Sequence, residues 1–133
     1  MVFTRETDYA VRIVRHLATV TSRTEAKKIA EATDVTLRFA LKILSKLVAG
    51  GLVRSYKGTQ GGYELQKPAA EISLRDIVEI IEGPVTISKC LDQNSDCECQ
   101  SAGNCKVRRV FGKIADSVNA QLASYTIDQF ADD

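Results

Sequence analysis

TSRTEAKKIAEATDVTLRFALKILSKLVAGGLVRSYKGTQGGYEL, residues 21–65, carries two helical periods and an alternating hairpin in direct succession. Ala26, Ile29, Ala30 and Ala32 recur at helical spacing and give a narrow apolar side, small enough for another helix to approach closely. Ser22 or Thr24 is expected to cap this helix, Ser22 and Glu25 standing at capping-box spacing. Thr33-Asp34-Val35 reads as a tight turn. Thr36 then caps a second helix that runs to about Ala49, with Ala40, Ile43, Leu44, Leu47 and Val48 on one face. Gly50-Gly51 stops it, because glycine accepts the left-handed conformation at a helix end. Two helices joined by so short a turn predict a helix-turn-helix.

The residues that follow narrow the reading. Leu52 to Tyr56 alternates like a strand, Lys57 to Gly62 is a glycine-rich turn, and Tyr63-Glu64-Leu65 returns as a second strand. A hairpin directly behind the second helix is the arrangement of a winged helix. On such a frame Thr36, Arg38, Phe39, Lys42 and Lys46 are expected on the outward face of the second helix, with Arg38 and Lys42 four apart on the same surface. Arg54 and Lys57 have the charge to neutralise phosphates, and Tyr56, Lys57, Gly61 and Gly62 of the wing are expected to track an adjacent phosphate backbone.

Outward from this core, Tyr9, Val11, Ile13, Val14, Leu17 and Ala18 predict a helix from about Glu6 to Val20, with Thr4 as its cap. His16 beside that stripe reads as a partly exposed structural histidine. Beyond Pro68, Ser73-Leu74-Arg75-Asp76 starts a helix with an acidic residue in its first turn and Ile77, Val78, Ile80 and Ile81 facing a core; Gly83-Pro84 ends it. After Cys105 the helical period resumes at Val107, Val110, Phe111, Ile114, Val118 and Leu122, a helix of roughly 18 residues and about 27 Å. So small a body cannot cover it, and its apolar stripe is expected at a dimer interface. Thr126, with Gln129 three residues on, begins a short tail. The expected fold is therefore mainly α with a small β-hairpin: a winged helix-turn-helix domain over residues 1–83, then a cysteine-rich loop (90–105) and a long dimerisation helix within 84–133.

Charge is also unevenly distributed, on either side of Pro68. Residues 1–67 hold 12 Lys and Arg against 6 Asp and Glu, whereas residues 68–133 hold 6 against 11, so only the first half is suited to meet a polyanion. At 133 residues, 44% hydrophobic and 26% charged, the composition is that of a globular chain. No apolar run reaches the ~18 residues that a membrane span requires. Arg5, Glu6 and Asp8 argue against a secretory signal, so a cytoplasmic location is expected, where four cysteines remain thiols rather than two disulfides.

Those thiols are spaced Cys90-x6-Cys97-x-Cys99-x5-Cys105, in a stretch rich in Gly, Asn, Asp and Ser. The density predicts a metal site. The paired knuckles of structural zinc are missing, and iron–sulfur ligation tolerates more varied spacing; an iron–sulfur cluster, a zinc ion and a thiol redox switch all stay open on spacing alone. No C-x-x-C motif and no nicotinamide or flavin fingerprint speaks for a redox enzyme.

Taken together, the opening TRETDYAVR (4–12), IAEATDVT (29–36), GLVRSYKGTQGGYEL (51–65) and a late cysteine cluster before a long helix resemble the Rrf2 family of bacterial regulators. The resemblance covers nearly the whole chain and includes the iron–sulfur cluster regulators and the nitric-oxide-sensing repressors. It implies a non-enzymatic transcription regulator: a homodimer that binds a near-palindromic double-stranded DNA operator, with an iron–sulfur cluster (2Fe-2S or 4Fe-4S) controlling operator affinity. By the same resemblance Cys90, Cys99 and Cys105 correspond to the three ligating cysteines, the first gap being longer than usual, and Cys97 is additional, placed either to replace Cys99 or to supply a fourth ligand. Arg108 stands where the general iron–sulfur regulators place a histidine. Asp8 stands where the nitric-oxide-sensing branch draws an aspartate ligand from the partner subunit. The fourth ligand is then Asp8 or Cys97.

Overall fold

A computed structural model describes residues 3–88, 91 and 105–130. Among the described residues five α-helices and one hairpin follow in the order α1 (Arg5–Thr19), α2 (Ala26–Thr33), α3 (Leu37–Ala49), β1 (Val53–Tyr56), β2 (Gly62–Leu65), α4 (Leu74–Glu82) and α5 (Lys106–Ser124), with short 3-10 turns at Ala69–Glu71 and Ile127–Phe130. This is the mostly helical winged-helix architecture expected from the sequence.

Helix α1 is the floor of the body. Its Ala10, Ile13, Val14 and Leu17 are buried, and α2, α3 and α4 pack on them. The turn between α2 and α3 closes through Asp34, which adopts the left-handed conformation (φ 58°, ψ 45°), while the Val35 amide donates to the Ala30 carbonyl at 3.0 Å. Asp is among the few residues that tolerate that conformation. Thr36 caps α3 as expected, its hydroxyl accepting the Phe39 amide at 3.3 Å. Ala40, Ile43, Leu44 and Leu47 of α3 are buried on the floor helix.

Other expected caps differ. Thr4 occupies the extended N-cap position of α1, but it is its carbonyl, not its hydroxyl, that accepts the first amides, from Thr7 and Asp8. The Ser22–Glu25 capping box does not form. Thr24 is instead drawn into a backbone bridge with Tyr63 of the wing, the two exchanging bonds of 3.0 and 2.9 Å, and Glu25 takes the N-cap position without a side-chain bond. Of the two glycines after α3, only Gly51 is left-handed (φ 82°). Gly50 is right-handed and small for another reason: a Cβ there would lie 2.5 Å from Ile80 Cδ1 of α4.

The hairpin is antiparallel, in the register Val53↔Leu65, Arg54↔Glu64, Ser55↔Tyr63 and Tyr56↔Gly62. Its base is tied to the core by the fully buried Val53. Helix α4 carries a complete capping box between Ser73 and Asp76. Helix α5 packs on α4 but buries little of itself; among its residues Ala115 is buried, while Val107, Val110, Phe111 and Ile114 are exposed along one stripe.

After α5 the chain returns to the N-terminal body. The Ile127 amide donates to the Ile72 carbonyl at 2.9 Å, the Leu74 amide donates to the Tyr125 carbonyl at 2.9 Å, and the Arg15 guanidinium donates to the Phe130 carbonyl at 2.8 Å. Ile127 itself is fully buried in the core cluster. The Ile127→Ala variant is accordingly expected to lose about 2–5 kcal/mol of stability, measured by urea unfolding at fixed protein concentration, while keeping its helical content. An unchanged unfolding midpoint would show that the tail contributes nothing to the core.

Candidate nucleic-acid interface and cysteine site

Opposite the buried stripe of α3, the 3.6-residue period places Arg38, Lys42 and Ser45 outward, and all three are exposed. Thr36 is exposed at the start of the same helix. Phe39 lies on the flank that faces α1, its ring centroid 6.1 Å from that of Tyr9. Lys46 lies on the same flank and is half-buried. Lys42 and Lys46 converge on one carboxylate: Lys42 Nζ is 2.6 Å from Glu6 Oε1 and Lys46 Nζ is 2.8 Å from Glu6 Oε2. Glu6 was not among the expected site residues, because nothing local relates the first turn of α1 to the middle of α3.

In the wing, Arg54 and Lys57 are exposed and Tyr56 is half-buried. The Tyr56 ring carries the Arg23 guanidinium on its face, 3.3 Å from the ring centre, and its hydroxyl donates to Glu64. Arg23 is thus a further cation beside the wing that sequence reading passed over. It arrives there through the Thr24–Tyr63 bridge. Gly61 and Gly62 have reasons within the fold to be glycine: a Cβ on Gly61 would lie 2.4 Å from the Tyr56 carbonyl oxygen, and Gly62 has φ 139° with the Thr24 carbonyl oxygen 2.7 Å from where its Cβ would be. An open cleft of about 540 Å³ lies between the wing turn and the start of α2, lined by Arg23, Lys28, Thr59, Gln60 and Glu64 among others.

Of the expected metal ligands, Cys90, Cys97 and Cys99 lie outside the described residues. Cys105 is a free, half-buried thiol at the N-cap position of α5 and makes no side-chain capping bond. Asp8 is in the first turn of α1, exposed and paired with Arg12 at 2.8 Å. Arg12 also reaches the Thr33 carbonyl at 3.4 Å, so Asp8 is linked through it to the end of α2. Among the described residues no group of three or more His, Cys, Asp or Glu side chains is placed to hold a metal. In donor chemistry, cysteine thiolates with one carboxylate or a fourth thiolate suit an iron–sulfur cluster. The position of Cys105 at the positive end of a 19-residue helix suits a site carrying negative charge.

Hydrogen bonds from Lys42 and then Lys46 pull the Glu6 carboxyl down from 4.5 to about 2. The ionised form is favoured in the folded state, so these pairs contribute stability fully above pH 4.5 and lose it as pH falls toward about 2. Both lysines keep solvent contact, which holds each pair to below about 1 kcal/mol. Glu6→Gln is expected to leave the pH 7 fold intact and to flatten the decline of urea stability between pH 5 and pH 3 relative to the unaltered chain. Parallel declines in the two proteins would deny the pairing a stabilising role.

Comparison with known proteins agrees with this geometry. The Rrf2 family, described as an iron-dependent transcriptional regulator, matches residues 3–133. Protein aau3 of Rhizobium meliloti (strain 1021) is 32% identical over 129 residues, spanning 96% of this chain and 83% of that protein. Among solved structures, CymR, the global cysteine regulator of B. subtilis, superposes with a TM-score of 0.79 at 25% identity, covering 99% of this chain and 97% of that one. IscR of T. potens shares the fold, with a TM-score of 0.74 at 23% identity over 98% of this chain and 85% of that one. No helix among the described residues is long and apolar enough to cross a membrane. The family's description and the match to CymR mark a regulator rather than an enzyme, and the chain belongs to the Rrf2 family of DNA-binding transcriptional regulators.

Proposed function

We propose that this regulator is a homodimer whose affinity for a near-palindromic operator is set by an iron–sulfur cluster held between α4 and α5. The observation that carries the reading is the position of the cysteines: all four fall in the connection to α5, and the last is that helix's N-cap residue. The family's description as iron-dependent supports it. When bound, such a cluster supplies redox chemistry and a reactive target for oxidants or nitric oxide.

The chain's own residues do the rest. Cys90, Cys99 and Cys105 are the three thiolate ligands, and either Cys97 or the Asp8 carboxylate of the partner subunit completes the set. Ligation ties the connection to the start of α5. If Asp8 ligates, it exchanges its Arg12 partner for the metal site, and the Arg12 contact with the end of α2 is altered with it. The dimer is built by the exposed α5 stripe of Val107, Val110, Phe111 and Ile114. Val118, expected on that stripe, is half-buried beside Phe3, Val85 and Ile87 of its own chain. Two recognition helices α3 then enter successive major grooves about 34 Å apart, so a small change in their spacing alters affinity.

Anaerobic absorption spectra with iron and sulfide analysis test the cofactor. A brown protein with matched iron and sulfide is expected; a colourless protein containing zinc, or no metal and a reversible disulfide, would replace the cluster by a structural ion or a thiol switch. Cys90→Ala, Cys99→Ala and Cys105→Ala are each expected to lose the cluster and to change affinity for a selected operator at least tenfold, about 1.4 kcal/mol of coupling. Cys97→Ala and Asp8→Ala assign the fourth ligand, the more labile variant identifying it. Equal operator affinity for holo and apo protein would remove the cluster from the switch. For the dimer, Ile114→Asp places an unpaired charge in the apolar stripe and is expected to give monomers by analytical ultracentrifugation. A monomeric unaltered protein at micromolar concentration would overturn the α5 interface.

A further inference from the structure

Large apolar side chains exposed among the described residues fall into two groups, apart from Phe3 and Tyr125. One is the α5 stripe. The other is on the recognition helix: Leu37, Phe39 and Leu41, exposed at 45%, 44% and 44%. Phe39 has a neighbour in the Tyr9 ring. Leu37 and Leu41, one turn apart, line the opposite flank of α3, and the core does not need them, since α3 buries Ala40, Ile43, Leu44 and Leu47 instead.

The occupant of this strip must satisfy two conditions. It must accept cations, because Arg38 projects from the adjoining face, Lys42 lies beyond it in its pair with Glu6, and the N-terminal half of the chain carries the positive charge. It must also offer an apolar group within a polar surface. Duplex DNA meets both. Its phosphates take the cations, and in a major groove about 12 Å wide, filled by one helix, the apolar feature is the thymine C5-methyl. Leucine has no polar atom to offer a base edge, so a cytosine amine facing the strip would lose water without gaining a bond. Uracil would leave the strip without its methyl contact.

Building on the proposed operator binding by α3, we infer that Leu37 and Leu41 are specificity-determining residues that read the C5-methyl of thymine in each half-site. The strip selects A·T pairs at the positions it faces, while Arg38 and Lys42 supply attraction and hydrogen bonds beside it.

The test uses a duplex selected by the full-length protein from a random library, and the same duplex with each thymine in turn replaced by deoxyuridine. The unaltered protein is expected to bind about fourfold less tightly at one or two positions per half-site, the equilibrium worth of one buried methyl group. Leu37→Ala and Leu41→Ala, both at exposed positions and checked by circular dichroism, are expected to bind the thymine and deoxyuridine duplexes equally. Arg38→Ala is expected to weaken binding to both duplexes alike. If the unaltered protein never distinguishes thymine from deoxyuridine, or if both leucine variants keep the distinction, the inference fails while operator binding by α3 stands. If Arg38→Ala and Lys42→Ala bind as the unaltered chain does, α3 is not the reading element and both proposals fall. Leucine variants that change the sedimenting species and leave thymine discrimination intact would assign the strip to a protein contact instead.

Discussion

Ala10, Ile13, Val14 and Leu17 are withdrawn from water by helices α2, α3 and α4 together. Each of those helices is amphipathic and too short to be stable alone, so each exists by burying its stripe on this common surface. The hairpin is held by the same body, through Val53 in the core and through the bridge from Tyr63 to Thr24. The angle at which α3 presents Arg38 and Lys42 is therefore a property of α1. Anything that displaces α1 displaces the surface proposed to meet DNA.

The first turn of α1 concentrates the contacts through which such a displacement would act. Thr7, buried, donates its hydroxyl to Glu82 at the end of α4 at 2.7 Å, and the Thr4 amide reaches the other oxygen of that carboxylate at 3.3 Å. Glu6 holds two lysines of α3, and Asp8 is paired with Arg12, which touches the end of α2. Four residues between Thr4 and Asp8 thus address α4, α3 and, through Arg12, α2. Glu82 directly precedes the Gly83-Pro84 break that opens the connection to the cysteines. In the proposed mechanism with Asp8 as the fourth ligand, this turn is where cluster ligation and DNA reading meet, with no need for a long path between them.

Much of this was legible beforehand because its signals are local. The Thr36 cap, the Asp34 turn, the alternation of the wing strands and the 3.6-residue stripes each involve residues within four positions of one another, or a turn whose chemistry is written in its own residues. Where local signals misled, a distant partner had outcompeted a near one. Thr24 is held by its backbone in a bridge with Tyr63, Glu25 takes the N-cap position, and the Thr24 hydroxyl turns to the Ser22 carbonyl. At Gly50 the chain does not turn left, and a Cβ would instead meet the Ile80 side chain of α4.

Local pattern along the chain specifies the order and kind of the elements, the basic first half, and the gathering of four thiols ahead of one long apolar-striped helix. Packing of the whole core is what brings Glu6 to Lys46 across 40 residues of sequence, Thr7 to Glu82 across 75, and Phe130 back to Arg15 across 115 while Ile127 completes the core. A helical period states which face of an element seeks burial. It does not state what will cover that face, since a partner so far along the chain is selected by the shape of the whole core and leaves no mark in the spacing of either segment.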